Sequence, residues 1–180
     1  MMKSSLPKIL VVLTLLLPLI NNGQQTTSEK SEIILSGEDL VVLLGEWEGS
    51  LTYMDYSSNK PYSMPANVSV TPGKNINQLS LYFTYPKEPK ANSKDNISIT
   101  KDGKALNKKA LKSNQTMPDG QVLITTDYIG KDNNKKTNIR NLYSIGKEQF
   151  VIGKEVKFGN TDKWLKRNEY SFIRKGDSNN

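Results

Sequence analysis

Gly45-Glu46-Trp47-Glu48-Gly49-Ser50-Leu51-Thr52-Tyr53-Met54 is the stretch that decides the fold. From Glu46 onward Trp47, Gly49, Leu51 and Tyr53 alternate with Glu48, Ser50, Thr52 and Met54. Successive side chains of an extended chain point to opposite faces, so a period of two predicts a half-buried strand. The pattern returns downstream. Ala66, Val68 and Val70 alternate with Asn67, Ser69 and Thr71, and Leu79, Leu81, Phe83 and Tyr85 alternate until Pro86 stops the run. Asn96 to Thr100 is a short strand, Asp102-Gly103 is a two-residue hairpin signal, and residues 104 to 107 supply the return. Gln121 to Ile129, Asn138 to Ile145, Gln149 to Phe158 and Leu165 to Lys175 are further β runs separated by polar turns. Residues 87 to 95 and 130 to 134 read as loops, and residues 108 to 118 fit either a helical turn or a long loop.

Working outward from Trp47, Ser36-Gly-Glu-Asp39 precedes the apolar Leu40-Val-Val-Leu-Leu44. Ser36 with Asp39 three positions on resembles a capping box, which predicts a helix of one to two turns from Gly37 to Leu44, ended by Gly45. No helical period separates the strands, which points away from a parallel βαβ sheet and towards an antiparallel barrel or sandwich joined by hairpins. The expected fold is all-β: a single antiparallel up-and-down barrel of about 8–10 strands behind a short N-terminal helix. Closing the sheet removes exposed edges, which suits a domain with no disulfide to hold it.

The first 23 residues read as a separate element. Lys3 and Lys8 precede an apolar run, Ile9 to Ile20, and the chain turns polar at Asn21-Asn-Gly23. That is the layout of a secretory signal peptide, and the run is shorter than the roughly 20 residues that cross a bilayer. Cleavage after Gly23 would leave Gln24 as the mature start; an uncleaved anchor is the alternative. Lipidation is excluded because no Cys stands at the cleavage point. The expected organisation is residues 1–23 signal peptide, 24–36 flexible linker, 37–175 barrel and 176–180 polar tail. The expected location is outside the cytoplasm, periplasmic or secreted, with no transmembrane segment in the mature chain.

The 180 residues include no Cys and no His, and carry 25 Lys plus Arg against 18 Asp plus Glu, a formal charge of +7. Those two zeros exclude a Cys nucleophile, a Ser-His-Asp triad, a disulfide framework and nearly every zinc site. No phosphate loop, EF-hand loop or dinucleotide fingerprint is present. No cofactor or metal and no catalytic residue is therefore expected. The basic excess lies in two loose clusters, Lys101 to Lys112 and Lys163 to Arg167, mixed with Asn and Asp. Nucleic-acid binding would interleave such cations with stacking aromatics on one groove face, so no nucleic-acid partner is expected. A solvated surface, or contact with an anionic surface, remains.

Gly45-Glu-Trp-Glu-Gly49, just after the short helix, resembles the Gly-x-Trp signature of lipocalins and the wider calycin superfamily. Arg174, in Tyr170-Ser-Phe-Ile-Arg174, resembles the basic residue those families place at the barrel end. The resemblance implies an exported bacterial barrel protein in which Gly45, Trp47 and Arg174 close one end, the cation packed over the indole. It further implies a cup for a small hydrophobic ligand.

The residues themselves leave two readings of the interior. By parity Tyr53, Tyr85, Tyr128 and Tyr143 share faces with the apolar residues of their strands. Phenols beside Leu, Val and Ile have the makeup of a small-molecule pocket, and equally of rings that fill a narrow barrel. Asp55, where the first strand meets its loop, either lines the mouth with those Tyr or caps a turn. Asp55 and Asp127 as an acid–base pair would need a defined carboxylate separation. The expected ligand-binding set is Tyr53, Asp55, Tyr85, Tyr128 and Tyr143. The leading expectation is a non-catalytic binding module; the alternatives are a filled structural or interaction barrel and a carboxylate- and Tyr-based hydrolase.

Overall fold

The computed structural model describes residues 33–159 and 161–176. The described residues belong to a single compact unit. The expected signal peptide and the expected linker up to Glu32 lie outside the described residues, and no helix among the described residues is long and apolar enough to cross a membrane.

One short helix, Glu38–Val41 (α1), precedes ten strands: Gly45–Met54 (β1), Pro61–Pro72 (β2), Gln78–Thr84 (β3), Ser93–Ser98 (β4), Ala105–Leu106 (β5), Lys109–Thr116 (β6), Val122–Asp132 (β7), Lys135–Ile145 (β8), Gln149–Lys157 (β9) and Leu165–Arg174 (β10). They form one antiparallel sheet in the order β4-β3-β2-β1-β10-β9-β8-β7-β6-β5. The first and last strands pair from Trp47↔Arg174 to Tyr53↔Asn168, so the meander curls into a nearly closed up-and-down barrel. The thin point lies between β4 and β5. One bridge, Ile99↔Leu106, joins them, and Asn107 backs it by donating its N–H to the Ser98 carbonyl (2.7 Å) and accepting the Ser98 N–H on its side-chain oxygen (2.8 Å).

Three segments extend the sequence pattern. β2 starts at Pro61 and tolerates Pro65 because β3 pairs with it only from Asn67, so no neighbour needs the missing N–H. Residues 109–116 are neither helix nor loop but β6, a strand whose burial does not alternate. β7 and β8 run through the polar stretch and turn at Asn133 and Asn134, whose φ values of 45° and 61° are left-handed, a region Asn tolerates. Leu35, in the stretch the sequence places in the linker, is 2% exposed and donates its N–H to the Gly103 carbonyl.

The register sorts the inward side chains into three layers. Ala66, Gly49, Phe172, Phe150, Ile145 and Val122 pair in turn across β2, β1, β10, β9, β8 and β7. The next layer is Met64, Leu51, Tyr170, Ile152, Tyr143 and Ile124, and the third is Tyr62, Tyr53, Asn168, Lys154, Asn141 and Thr126. Across these three layers the wall passes from apolar to polar, and the next inward pair, Ile139 and Val156, is apolar and buried again. Aromatic rings fill the apolar end: Trp47 lies 5.8 Å from Phe150, Phe150 5.8 Å from Phe172, Phe172 5.7 Å from Tyr170 and Tyr170 4.9 Å from Phe83. Offset and edge contacts at such spacings add about 0.5–1.5 kcal/mol per pair to the area they bury.

That end is sealed. Trp47 is 1% exposed and its indole N–H donates to the Leu43 carbonyl at 2.8 Å, tying the barrel floor to the turn after α1. The Arg174 guanidinium lies 4.1 Å over the indole and donates to the carbonyls of Leu44, Val42 and Lys147. Gly45 turns the chain between helix and strand at φ +119°, which L side chains rarely adopt. At Gly49 β10 passes so close that a Cβ would sit 2.0 Å from the Ser171 carbonyl oxygen. In the helix, Asp39 accepts the Ser36 N–H at 2.7 Å, one half of a capping box.

Candidate functional site at the open end

The opposite end is built from the β1–β2 loop, the β7–β8 hairpin and the starts of β2 and β10. Its rim is aromatic: Tyr53 and Tyr62 pair across strands with ring centroids 5.4 Å apart, and both are exposed, as is Tyr56. Below the rim, Leu51, Ile152 and Tyr170 pack against the core yet stay partly exposed, although their register partners place them on the inner wall. These three are apolar positions of the inward register that keep some accessible surface.

Asp132 is the centre of the rim's polar structure. It is 4% exposed and takes the Tyr56 hydroxyl at 2.7 Å, the Lys154 ammonium at 2.8 Å and the Arg167 Nε at 3.0 Å. Burial pushes its pKa up, but bonds from Lys154 and Tyr56 and the charges of Lys154 and Arg167 outweigh it, holding the carboxyl below its usual range. The Tyr56 phenol is raised, by burial first and then by its bond to Asp132. Arg167 reaches the network because the β9–β10 register slips between Lys166 and Asn168. This bulge inserts one residue and re-aims its side chain. The guanidinium is then packed by Tyr56, 4.6 Å from its ring centroid, and by Phe158 at 5.6 Å. Tyr53, Asp55, Tyr56, Asp132, Lys154, Arg167 and Asn168 border a cleft of about 450 Å³ here.

The sequence-predicted residues distribute as follows. Tyr53 stands on the rim at 37% exposure. Tyr85 and Tyr170 are joined hydroxyl to hydroxyl at 2.7 Å inside the barrel. Tyr143 is buried in the middle layer, where burial pushes its phenol up to about 12. Tyr128 is half-buried, with the Lys109 ammonium 4.2 Å from its ring centroid. Asp55 borders the mouth cleft but is committed locally: its oxygens accept the Ser57 N–H and the Ser57 and Ser58 hydroxyls, bonds led by Ser58 that hold its pKa down at about 2. Asp127 lies on the outer wall in a bidentate pair with Arg140 at 2.8 Å, itself 4.1 Å over the Trp164 ring.

Asp132, Lys154, Arg167 and Tyr170 are absent from the predicted set. Parity puts Lys154 on the inner face beside Phe150 and Ile152, a signal legible in the sequence. Arg167 gives none, because a bulge breaks parity at that residue.

The geometry defines an up-and-down ten-stranded antiparallel barrel with one sealed end and one polar, aromatic-rimmed mouth. No family model matches the chain, and no curated protein matches it. Among solved structures it is similar to Rv2717c from M. tuberculosis, with a TM-score of 0.47 and 10% identity over 80% of this chain and 99% of that one. At that level nothing of the other protein's function carries over.

Proposed function

We propose that this protein is a non-catalytic, lipocalin-like carrier that holds a small apolar or amphipathic ligand in the open half of its barrel. The observation that carries the reading is the belt of Leu51, Ile152 and Tyr170, apolar surface that faces inward yet remains open to water. A ligand covering it would gain about 25 cal/mol per Å² of apolar area removed from water. The resemblance of Gly45, Trp47 and Arg174 to the lipocalin end-closure agrees with the same reading. So does the engagement of Asp55 and Asp127 in separate hydrogen-bonded units, which removes the motive for pairing them in catalysis. Export by the N-terminal segment, and contact of the basic outer wall with an anionic surface, are part of this proposal.

A second reading has its own support: the stacked rings from Trp47 to Phe83 fill the lower barrel, as a purely structural barrel requires. Titration with the neutral solvatochromic dye Nile red separates the two. The carrier reading expects saturable fluorescence that disappears in Leu51→Trp and Ile152→Trp variants with unchanged melting temperature. Absence of saturable binding to the wild-type protein supports the filled barrel.

A further inference from the structure

The outer wall beside the β9–β10 loop gathers side chains that lie far apart in the sequence. Trp164, in that loop, is partly exposed and packs against two cations, with the Arg140 guanidinium 4.1 Å and the Lys157 ammonium 5.5 Å from its ring. Lys112, Ile129, Asn138, Arg140, Lys157 and Trp164 border a cleft of about 430 Å³. The register explains the grouping. Ile129, Asn138 and Lys157 are partners across β7, β8 and β9; Asp127, Arg140 and Glu155 form the next outward row towards the floor, and Lys131 and Lys136 the one towards the mouth. Cations and rings therefore share one face, a pattern the sequence hides because four strands and a loop supply it.

The charges there do not cancel. Arg140 grips Asp127 through Nε and one terminal nitrogen at 2.8 Å each, and this pair fixes the guanidinium that supports the indole. Glu155 stands beside Arg140 as its register partner on β9. Against these two carboxylates stand Arg140, Lys112, Lys131, Lys136 and Lys157, and none of the four lysines is paired with a carboxylate among the described residues. Ile129 beside them is 66% exposed. A branched aliphatic side chain and an indole next to unpaired ammoniums suit a ligand that carries C–H faces and negative charge on one rigid ring, as a sugar acid does. Phosphate of a nucleic acid is taken best by an uncommitted guanidinium fork, and here Asp127 occupies the fork.

We propose that the Trp164 cleft binds an acidic polysaccharide. One sugar ring lies against Trp164 and Ile129, its carboxylate or sulfate oxygens accept from Lys112, Lys157 and the Asn138 amide, and Lys131 and Lys136 extend the contact along the polymer. This rests on the anionic-surface contact in the reading above, gives it a site and a polymer chemistry, and stands whether or not the barrel holds a ligand.

The chain has two tryptophans and Trp47 is 1% exposed, so a ligand in the cleft is read through Trp164 emission. The protein is titrated with polygalacturonate, dextran sulfate, neutral dextran and single-stranded oligothymidylate. A saturable change with polygalacturonate or dextran sulfate, weakened by salt, and none with dextran is the expected result; the tighter of the two identifies the acid group. By calorimetry, Trp164→Ala and Ile129→Ser should each weaken that binding, Trp164→Ala by about tenfold. Lys112→Gln and Lys157→Gln should each weaken it about twofold to fivefold, the worth of an exposed charge contact. Lys74→Gln and Lys101→Gln, in the turns after β2 and β4, should leave it unchanged, with melting curves showing every variant folded. Equal weakening by the two lysine pairs, or none from Trp164→Ala and Ile129→Ser, reduces the binding to diffuse charge and overturns the site. Tighter binding of oligothymidylate than of either acidic glycan overturns the polymer class. Failure of both acidic glycans to bind the wild-type protein overturns the proposal outright, and Nile red titration of the same protein keeps that result separate from the fate of the cup.

Discussion

Each end of the barrel sets an arginine against an aromatic ring, and the two arginines are used differently. Arg174 lies over Trp47 and spends its Nε and both terminal nitrogens on carbonyls of this chain, at Lys147, Leu44 and Val42. Arg167 lies over Tyr56 and, among the described residues, donates only from its Nε, to the buried Asp132. A cation whose donors all point home is a structural clamp; the other is held at one nitrogen and by ring contacts. The apolar layers follow the same division, packed ring on ring near Trp47 and partly wetted at Leu51 and Ile152.

If the sealed end carries the stability, its loss is the largest effect. Trp47→Ala should cost about 3–5 kcal/mol in denaturant unfolding, since it empties the floor and strands the Leu43 carbonyl. Arg174→Met should cost about 2–3 kcal/mol from the lost charged hydrogen bonds and cation–π contact. Arg167→Met should cost about 1–2 kcal/mol, less than its counterpart because Lys154 and Tyr56 still serve Asp132. A larger loss at Arg167 than at Arg174 would break the comparison.

The two ends also differ in what titrates. The folded pKa of Asp132 is depressed, so the stability it contributes is present above about pH 4 and is lost as pH falls below that value. Asp132→Asn should flatten the acid limb of a melting-temperature profile. The Tyr143 phenol is raised to about 12, so its contribution is present below about pH 10 and lost as pH climbs towards 12. The ultraviolet difference spectrum of phenolate formation should then show a late-titrating group of tyrosines, Tyr56, Tyr143 and Tyr170, whose amplitude Tyr143→Phe reduces by one phenol. Smallest of these effects, Tyr85→Phe gives up one end of the Tyr85–Tyr170 hydroxyl pair and should cost about 1 kcal/mol.

Period-two alternation carried most of the architecture. Trp47, Leu51, Tyr85 and Tyr143 fall on the inner face because parity holds wherever a ladder is regular. It was silent where ladders are irregular. Residues 109–116 pair with β7 through a register slip and bury no clean face, so they leave no alternating pattern. Asp132 stands in a polar stretch that reads as loop because the turn is placed by two left-handed Asn rather than by Gly. Arg167 owes its position to an extra residue, and its neighbours Lys163 and Lys166 disguise it as one of a solvated cluster. The sealed end, made of regular strands and a local motif, was therefore legible, while the polar half of the mouth, assembled by a bulge and hairpin extensions from four distant segments, was not.

The absence of cysteine from the whole chain makes the asymmetry of the barrel directly measurable. Single cysteines introduced at Leu51 and Ile152 should react readily with a small maleimide in the folded protein, whereas those at Val68 and Ile145, near the sealed end, should react only as fast as the protein unfolds. Equal protection at all four positions would contradict an open mouth. Equal reactivity would contradict a sealed floor.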